Sequence, residues 1–394
     1  MDAGQRSVLR PIGAWVGYRM TYGRPSLRSV TGYTPGEQPV ASNVVKLNTN
    51  ENPYPPAEAV LQALRDVPAE ALRKYPSALA TPFREQAATT HGLRAENVIA
   101  TNGGDELLRL AFATFVERGT PVGVTEPTYS LYGVLAALHG SPLATAPLTA
   151  DGELPADVAS RWNDQGAALA LVVNPHAPLG TLTSVARLAD VAEQFRGVLL
   201  VDEAYVDFVD PALGHDAATL LASFENVLLL RTLSKGYSLA GLRYGYGLGH
   251  VSLVGPMLTK TKDSYNVDAV AQTLATVALV ERAAAQQTWE LVRRDREVLR
   301  TDLGTLGLHA LASHTNFLLA TIPDAFGGGA AVVYETLKTA GVLVRFFDQV
   351  GLRDKLRITV GTPAQNARLV AELRRLALPD NGEASACRFT STTP

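Results

Sequence analysis

Cysteine is almost missing: 394 residues carry one thiol, Cys387, so no intrachain disulfide can staple the fold. That scarcity suits a reducing compartment, and the expected location is the cytoplasm. Long apolar runs are missing too. Each uninterrupted stretch is strand-sized or carries charges, too short to span a bilayer. Neither sign of charge dominates, since 35 Lys and Arg against 38 Asp and Glu leave a formal net charge of −3. That balance offers no general attraction to nucleic acid or anionic lipid. Repeats and low-complexity linkers are also lacking. What is there is 46% hydrophobic and 19% charged residues, the composition of a globular chain. The length suits one large domain plus a smaller one.

The start of the chain is short of acids. Arg6, Arg10, Arg19, Arg24 and Arg28 face only Asp2 and Glu37. Such a segment reads either as a transit peptide or, the preferred reading, as an arm lying on the folded protein or a partner subunit. Residues 8–20 lack the apolar heart of a secretory signal.

From about residue 96 to 249, short apolar runs alternate with longer amphipathic segments. The runs 97–101, 121–125, 168–174, 198–202, 227–231 and 244–248 have strand length and mostly turn or polar borders. Residues 106–117, 130–139 and 184–195 read as helices between them. This alternation predicts an α/β domain with a mostly parallel sheet covered on both faces. After a long helical tract, roughly 270–303, the pattern changes. Strands at 316–320, 342–346 and 355–360, with helices at 330–339 and 364–376, predict a smaller α+β domain.

Chemistry-bearing residues cluster at predicted strand ends, where open α/β sheets place their ligands. Thr232-Leu233-Ser234-Lys235-Gly236 follows an apolar strand, so Lys235 can reach a cleft; a lone lysine is otherwise a solvated charge. Arg243 lies eight positions on, and a guanidinium beside a Ser-Lys turn suits a phosphate monoester. Asp202 ends another strand, where a buried carboxylate needs a cationic partner such as a protonated pyridine nitrogen. Tyr205 follows three residues later. Asn174 ends a third strand before a Pro-rich turn closing at Gly180. Gly103, Gly104 and Asp105 form a strand-to-helix turn whose backbone amides can hold phosphate or simply make a capped turn. Tyr129 heads the next helix and can stack on a flat ring or pack in the core.

Together these pieces resemble, in order and spacing, the fold-type I pyridoxal-phosphate aminotransferases of class I/II, over about residues 44–376. The resemblance implies a pyridoxal 5′-phosphate cofactor, with Lys235 as its Schiff-base lysine and proton shuttle. It implies that Asp202 pairs with the pyridine nitrogen, Asn174 and Tyr205 hydrogen-bond the ring's O3′, and Tyr129 stacks on the ring. Gly103, Gly104 and Asp105 would grip the phosphate with Ser234 and Arg243. No metal is implied.

Within that class the chain is most similar to histidinol-phosphate aminotransferases. Lys46-Leu47-Asn48-Thr49-Asn50-Glu51-Asn52-Pro53-Tyr54 resembles that family's substrate segment, with Tyr54 near the substrate. Lys74-Tyr75-Pro76 resembles an element whose tyrosine reaches the neighbouring subunit's cofactor phosphate, which implies a homodimer. Ser313-His314-Thr315-Asn316-Phe317 adds Asn316 to the substrate site. Arg357 corresponds to the class's carboxylate-binding arginine, and in this branch Arg345 and Arg357 would together bind the substrate phosphate. Two cations suit a dianion; Arg345 could instead pair with a surface carboxylate such as Asp348. The substrates implied are a small amine or amino acid and a 2-oxo acid. The implied division is an arm (1–43), a segment joining the small domain to the substrate site (44–75), the large cofactor domain (76–270), an interdomain helix with the small domain (271–378), and a polar tail (379–394).

The loop Asn174-Pro175-His176-Ala177-Pro178-Leu179-Gly180 departs from the family's Asn-Pro-Asn-Asn-Pro-Thr-Gly. His176 there reads as a turn residue with no catalytic part. An aromatic aminotransferase, a threonine-phosphate decarboxylase or an amino-acid oxidase would share this scaffold. A cofactor-sensing transcription factor would need a separate DNA-binding domain, and about forty residues before the motif-bearing segment leave too little chain for one.

Overall fold

Strand β1 (Val45–Lys46) comes first in the chain, followed by β2 (Val98–Thr101), β3 (Val122–Glu126), β4 (Leu143–Pro147), β5 (Leu169–Val173), β6 (Val198–Asp202), β7 (Val227–Thr232) and β8 (Gly245–Gly249). The computed structural model describes residues 22–28, 30–39 and 43–377. Arg6, Arg10, Arg19 and the tail with Cys387 lie outside the described residues.

β2 to β8 form one seven-stranded sheet in the order β2-β8-β7-β6-β5-β3-β4. All neighbours run parallel except β8, which is antiparallel to β2 and β7. Every residue of β2, β5, β7 and β8 is buried. Continuous apolar runs are what helices on both faces demand, so these strands stand within two residues of their expected positions. β4 was not foreseen. It is an edge strand whose exposure alternates residue by residue, and its two alanines and terminal Pro weaken the strand signal.

The helical tract expected at 270–303 is two helices, Ala269–Val280 and Arg282–Thr305, broken at Glu281. Asp268 caps the first by accepting from the Ala271 amide at 2.8 Å. The second serves two cores. Trp289 and Val292 pack into the large one. Leu299 and Leu303 join Leu318, Val333, Leu356 and Leu369 in the smaller.

The chain continues through β9 (His309–Ala310), β10 (Phe317–Thr321), β11 (Val342–Leu343), β12 (Arg345–Phe346) and β13 (Lys355–Thr359). An antiparallel sheet takes the order β12-β13-β10-β9. The single strand expected at 342–346 is divided. β11 pairs in parallel with β1, whereas β12 pairs with β13. That division draws the N-terminal segment into the smaller core and turns Arg345 toward β13. Among the described residues no helix is long and apolar enough to cross a membrane.

Candidate active site

Lys235 owes its place to the turn after β7. The Leu233 amide donates to the Tyr244 carbonyl at 3.0 Å. Thr232 Oγ1 donates to Ser234 Oγ at 2.9 Å while accepting from the Ser234 amide at 3.1 Å. These bonds carry the lysine into a cavity of about 580 Å3, within the size range of small-molecule sites. Its Nζ donates to the Thr49 carbonyl at 2.9 Å. Burial, then the positive charge of Arg357, pushes its pKa down to about 8. The amine is therefore within reach of the neutral, nucleophilic form at moderate pH.

Asp202, the last residue of β6, faces the same cavity. Tyr132 Oη donates to its Oδ2 at 2.8 Å and the Ala204 amide to Oδ1 at 3.1 Å. Burial is the main cause that raises its pKa to about 6. A buried carboxylate that must stay ionised calls for a cation, and a protonated ring nitrogen would meet that need. Tyr205 stands beside it. Its hydroxyl accepts from Asn50 Nδ2 at 2.9 Å, and Phe317 braces the ring edge-on at 5.2 Å. Thr49 and Thr128, both on the cavity wall, have buried hydroxyls with no partner among the described residues. Such groups mark unmet hydrogen-bonding capacity.

At one end of the cavity the helix Gly103–Phe115 begins. Gly103 has φ +74, and a Cβ on it would lie 2.7 Å from Arg243 Nη2. A Cβ on Gly245 would come within 2.7 Å of the Gly103 carbonyl carbon. Glycine at both positions lets β8 and Arg243 close on the helix start. Arg243 itself is held at φ +57, an uncommon conformation for a side-chain-bearing residue. Its Nη1 donates to the Ala240 carbonyl at 3.0 Å and to Ser234 Oγ at 3.5 Å. Asp105 lies 3.7 Å from its Nη2. Helix amides, a hydroxyl and a guanidinium thus converge on one anion-sized cradle.

A second cationic centre comes from the smaller sheet. Arg345 and Arg357 are register partners across β12 and β13, and both line the cavity. Arg357 Nη2 donates to the Asn48 carbonyl at 3.1 Å, and its guanidinium packs over Phe317 and Phe347. Its buried Nε has no partner among the described residues. Arg345 Nη2 donates to the Thr34 carbonyl at 3.4 Å. Asp348, the carboxylate considered for Arg345, is taken by Arg353 at 2.7 Å.

Of the expected site residues, Gly103, Asn174, Tyr54 and Asn316 do not line the cavity wall, and neither does Tyr75, which is expected to serve a neighbouring subunit. The Asn174 amide spans the loop behind the wall, donating to the Thr183 carbonyl at 3.0 Å and accepting from the Thr183 amide at 2.8 Å. Tyr54 turns away to Asp295 on the helix Arg282–Thr305. Burial, with that carboxylate, pushes its pKa up to about 12. Asn316 is buried and donates to the Asn50 carbonyl at 3.0 Å, so it fixes the segment that holds Tyr205. Tyr75 is 80% exposed and stacks on Tyr265 at 4.5 Å, away from this chain's cavity.

Other residues escaped the sequence reading. Tyr33 and Thr34, from the arm, line the cavity, and Tyr33 meets Tyr129 edge-on at 5.8 Å. Nothing in a Gly- and Thr-rich stretch advertises this. Tyr132, on the first turn of the helix Leu131–His139, meets Tyr129 edge-on at 5.6 Å and was also not singled out.

The profile of the family described as aminotransferase class I and II matches residues 42–373. Histidinol-phosphate aminotransferase 1 of Trichormus variabilis is 42% identical over 356 residues, covering 90% of this chain and 99% of that protein. The protein of the same name from Nostoc sp. is 40% identical over the same length, covering 90% and 98%. Among solved structures, histidinol-phosphate aminotransferase from Sinorhizobium meliloti, in complex with pyridoxal-5′-phosphate, superposes with a TM-score of 0.82 at 23% identity, covering 91% and 98%. That likeness carries the fold, and the near-complete sequence matches carry the family. The chain belongs to the aminotransferases of class I and II.

Proposed function

We propose that this chain is a pyridoxal 5′-phosphate-dependent aminotransferase that moves the amino group of histidinol phosphate to a 2-oxo acid such as 2-oxoglutarate. The observation that carries the reading is the pair Arg345 and Arg357, two cations that have no carboxylate partner among the described residues, on the wall of the cavity that holds Lys235. Relatives spanning nearly the whole chain bear that activity in their names. The residues present fit the cofactor: a buried carboxylate with no salt bridge among the described residues, a glycine-lined helix start closed by Arg243, and a buried amine whose pKa is pushed down to about 8.

Bound there, pyridoxal phosphate supplies an electron sink conjugated to the substrate's reacting carbon. The chain's own residues do the rest. Lys235 Nζ would take the proton from the substrate Cα and pass it on to the cofactor's C4′, a task suited to a base whose pKa lies near working pH. Asp202 holds the proton on the ring nitrogen. Tyr205 Oη would hydrogen-bond the ring's phenolic oxygen, with Asn174 behind it, and Tyr129 would lie against the ring. The Gly103–Asp105 turn, Ser234 and Arg243 bind the cofactor phosphate. Arg345 and Arg357 bind the substrate's phosphate, with Tyr54 and Asn316 as supports of the segments around it.

We further infer a cytoplasmic homodimer in which Tyr75 of one copy serves the other. Its exposed stack on Tyr265 supports this. The large domain would span 76–270 and the interdomain helix with the small domain 271–378, in keeping with two apolar cores that share the helix Arg282–Thr305.

Absorbance of the holoenzyme titrated with histidinol phosphate tests the assignment. The bound-cofactor spectrum should shift, with imidazole-acetol phosphate formed and Lys235→Ala as blank. A shift driven only by aromatic amino acids would reject the substrate. Release of carbon dioxide or uptake of oxygen would move the site to decarboxylation or oxidation.

A further inference from the structure

Two loops form neighbouring parts of the cavity wall, yet little ties them together. Residues 126–130 bring Thr128, Tyr129 and Ser130 to the cavity, and the turn 174–181 brings Ala177 and Pro178. The β3–β5 ladder that precedes them ends at the pair Val124 and Leu171. Past that point, among the described residues, no backbone hydrogen bond joins one segment to the other. One side-chain bond does. His176 Nε2 lies 3.1 Å from the Pro127 carbonyl, two residues before Tyr129.

The imidazole is fixed from both ends. A carbonyl oxygen can only accept and an amide N–H can only donate, so Nε2 carries the hydrogen toward Pro127. Nδ1 is then left to accept from the Leu179 amide at 3.4 Å. The ring is neutral and 6% exposed, and burial pushes its pKa down to about 4. The turn that presents it is rigid. The His176 amide donates to the Thr181 carbonyl and the Gly180 amide to the His176 carbonyl, both at 2.7 Å. The His314 amide donates to the Gly180 carbonyl at 2.8 Å, which moors the turn to the segment leading into β10.

We propose that His176 is a positioning residue that clamps the Tyr129 loop to the 174–181 turn through its Nε2–H bond to the Pro127 carbonyl, holding the aromatic wall against which the cofactor ring lies. The proposal rests on the cofactor reading above. It gives a function to the residue that sets this turn apart, without making it a participant in the reaction.

Two amide substitutions separate the bonds. Glutamine places an N–H near the position of Nε2 and can still reach Pro127. Asparagine reaches only to the position of Nδ1, so it can serve Leu179 but not Pro127. Holoenzyme is prepared from wild type, His176→Gln and His176→Asn. Pyridoxal phosphate dissociation, visible circular dichroism of the bound cofactor and thermal unfolding of the cofactor-free protein are then measured. His176→Gln should retain the wild-type dichroism and affinity within about threefold, while His176→Asn loses roughly tenfold in affinity, the effect of one buried hydrogen bond, with altered dichroism. The unfolding temperatures of the two cofactor-free variants should be alike. Wild-type protein that takes up no pyridoxal phosphate would bring down the cofactor reading and this proposal together. If wild type binds and His176→Asn matches it, or both variants lose equally, the proposal alone falls. A loss in His176→Asn matched by general unfolding of the cofactor-free protein also overturns it, because His176 then acts only in stability.

Discussion

Arg345 and Arg357 stand directly opposite each other on β12 and β13, and among the described residues neither has a carboxylate partner. Opposed like charges destabilise a strand pair. The arrangement gains from an anion held between the guanidiniums, and a phosphate dianion matches two of them better than one carboxylate does.

Arg357→Gln should lower kcat/KM for histidinol phosphate by about 10- to 100-fold, the worth of a charge-assisted hydrogen bond. The rate with histidinol, a donor with neither phosphate nor carboxylate, should fall much less. Steady-state kinetics on both donors check this, and equal losses would reject a phosphate role.

Cofactor capture should follow the state of Lys235. Only the neutral amine attacks a carbonyl, and its pKa in the cofactor-free fold is pushed down to about 8. The association rate of pyridoxal phosphate should rise with pH and level off just above 8. Stopped-flow absorbance reads it, and a rise continuing toward the ordinary lysine range near 10.5 would contradict the burial argument. Lys235→Ala should lower turnover by at least about 1000-fold.

Asp202 is predicted to trade stability for cofactor binding. Its folded pKa of about 6 lies above the ordinary 3.8. The folded state therefore binds more protons than the unfolded state between those values, and stability falls as pH rises through that window. Asp202→Asn should stabilise the cofactor-free protein at pH 7 by on the order of 3 kcal/mol, a gain that vanishes near pH 3.5. It should also weaken pyridoxal phosphate binding and turnover. Urea unfolding at the two pH values tests the sign.

The turn after Lys235 has no room for a side chain. A Cβ on Gly236 would lie 2.2 Å from Asp207 Oδ2, and the Gly236 carbonyl accepts from Trp289 Nε1 at 2.7 Å. Gly236→Ala should destabilise the fold by about 1–3 kcal/mol through overpacking and slow turnover by displacing Lys235. Denaturation and kinetics on one preparation would show both effects or remove the claim.

Much of the cofactor half of the site was legible because it is built from strand ends. Asp202 closes β6, Thr232 closes β7 three residues before Lys235, and both strands are buried, strand-length apolar runs. Local pattern alone places such residues at one edge of a parallel sheet. Tyr54, Asn316 and Asn174 do not line the cavity, for a different reason. Tyr54 and Asn316 lie in segments with few periodic signals, and whether such a side chain faces the cavity or Asp295 depends on packing that sequence spacing does not encode. Asn174 was read at the right strand end, but its amide closes its own turn.

The sequence by itself determined the order of the elements, the buried strands and the chemical types at their ends, because periodicity and turn residues act over a few positions. Only the tertiary structure decided that Tyr33 and Thr34, some two hundred residues before Lys235, share its cavity. It likewise decided that the strand expected at 342–346 divides, leaving Arg345 to face Arg357. Those outcomes come from burying two apolar cores against one shared helix. Long-range packing, unlike strand formation, has no local signature in the chain.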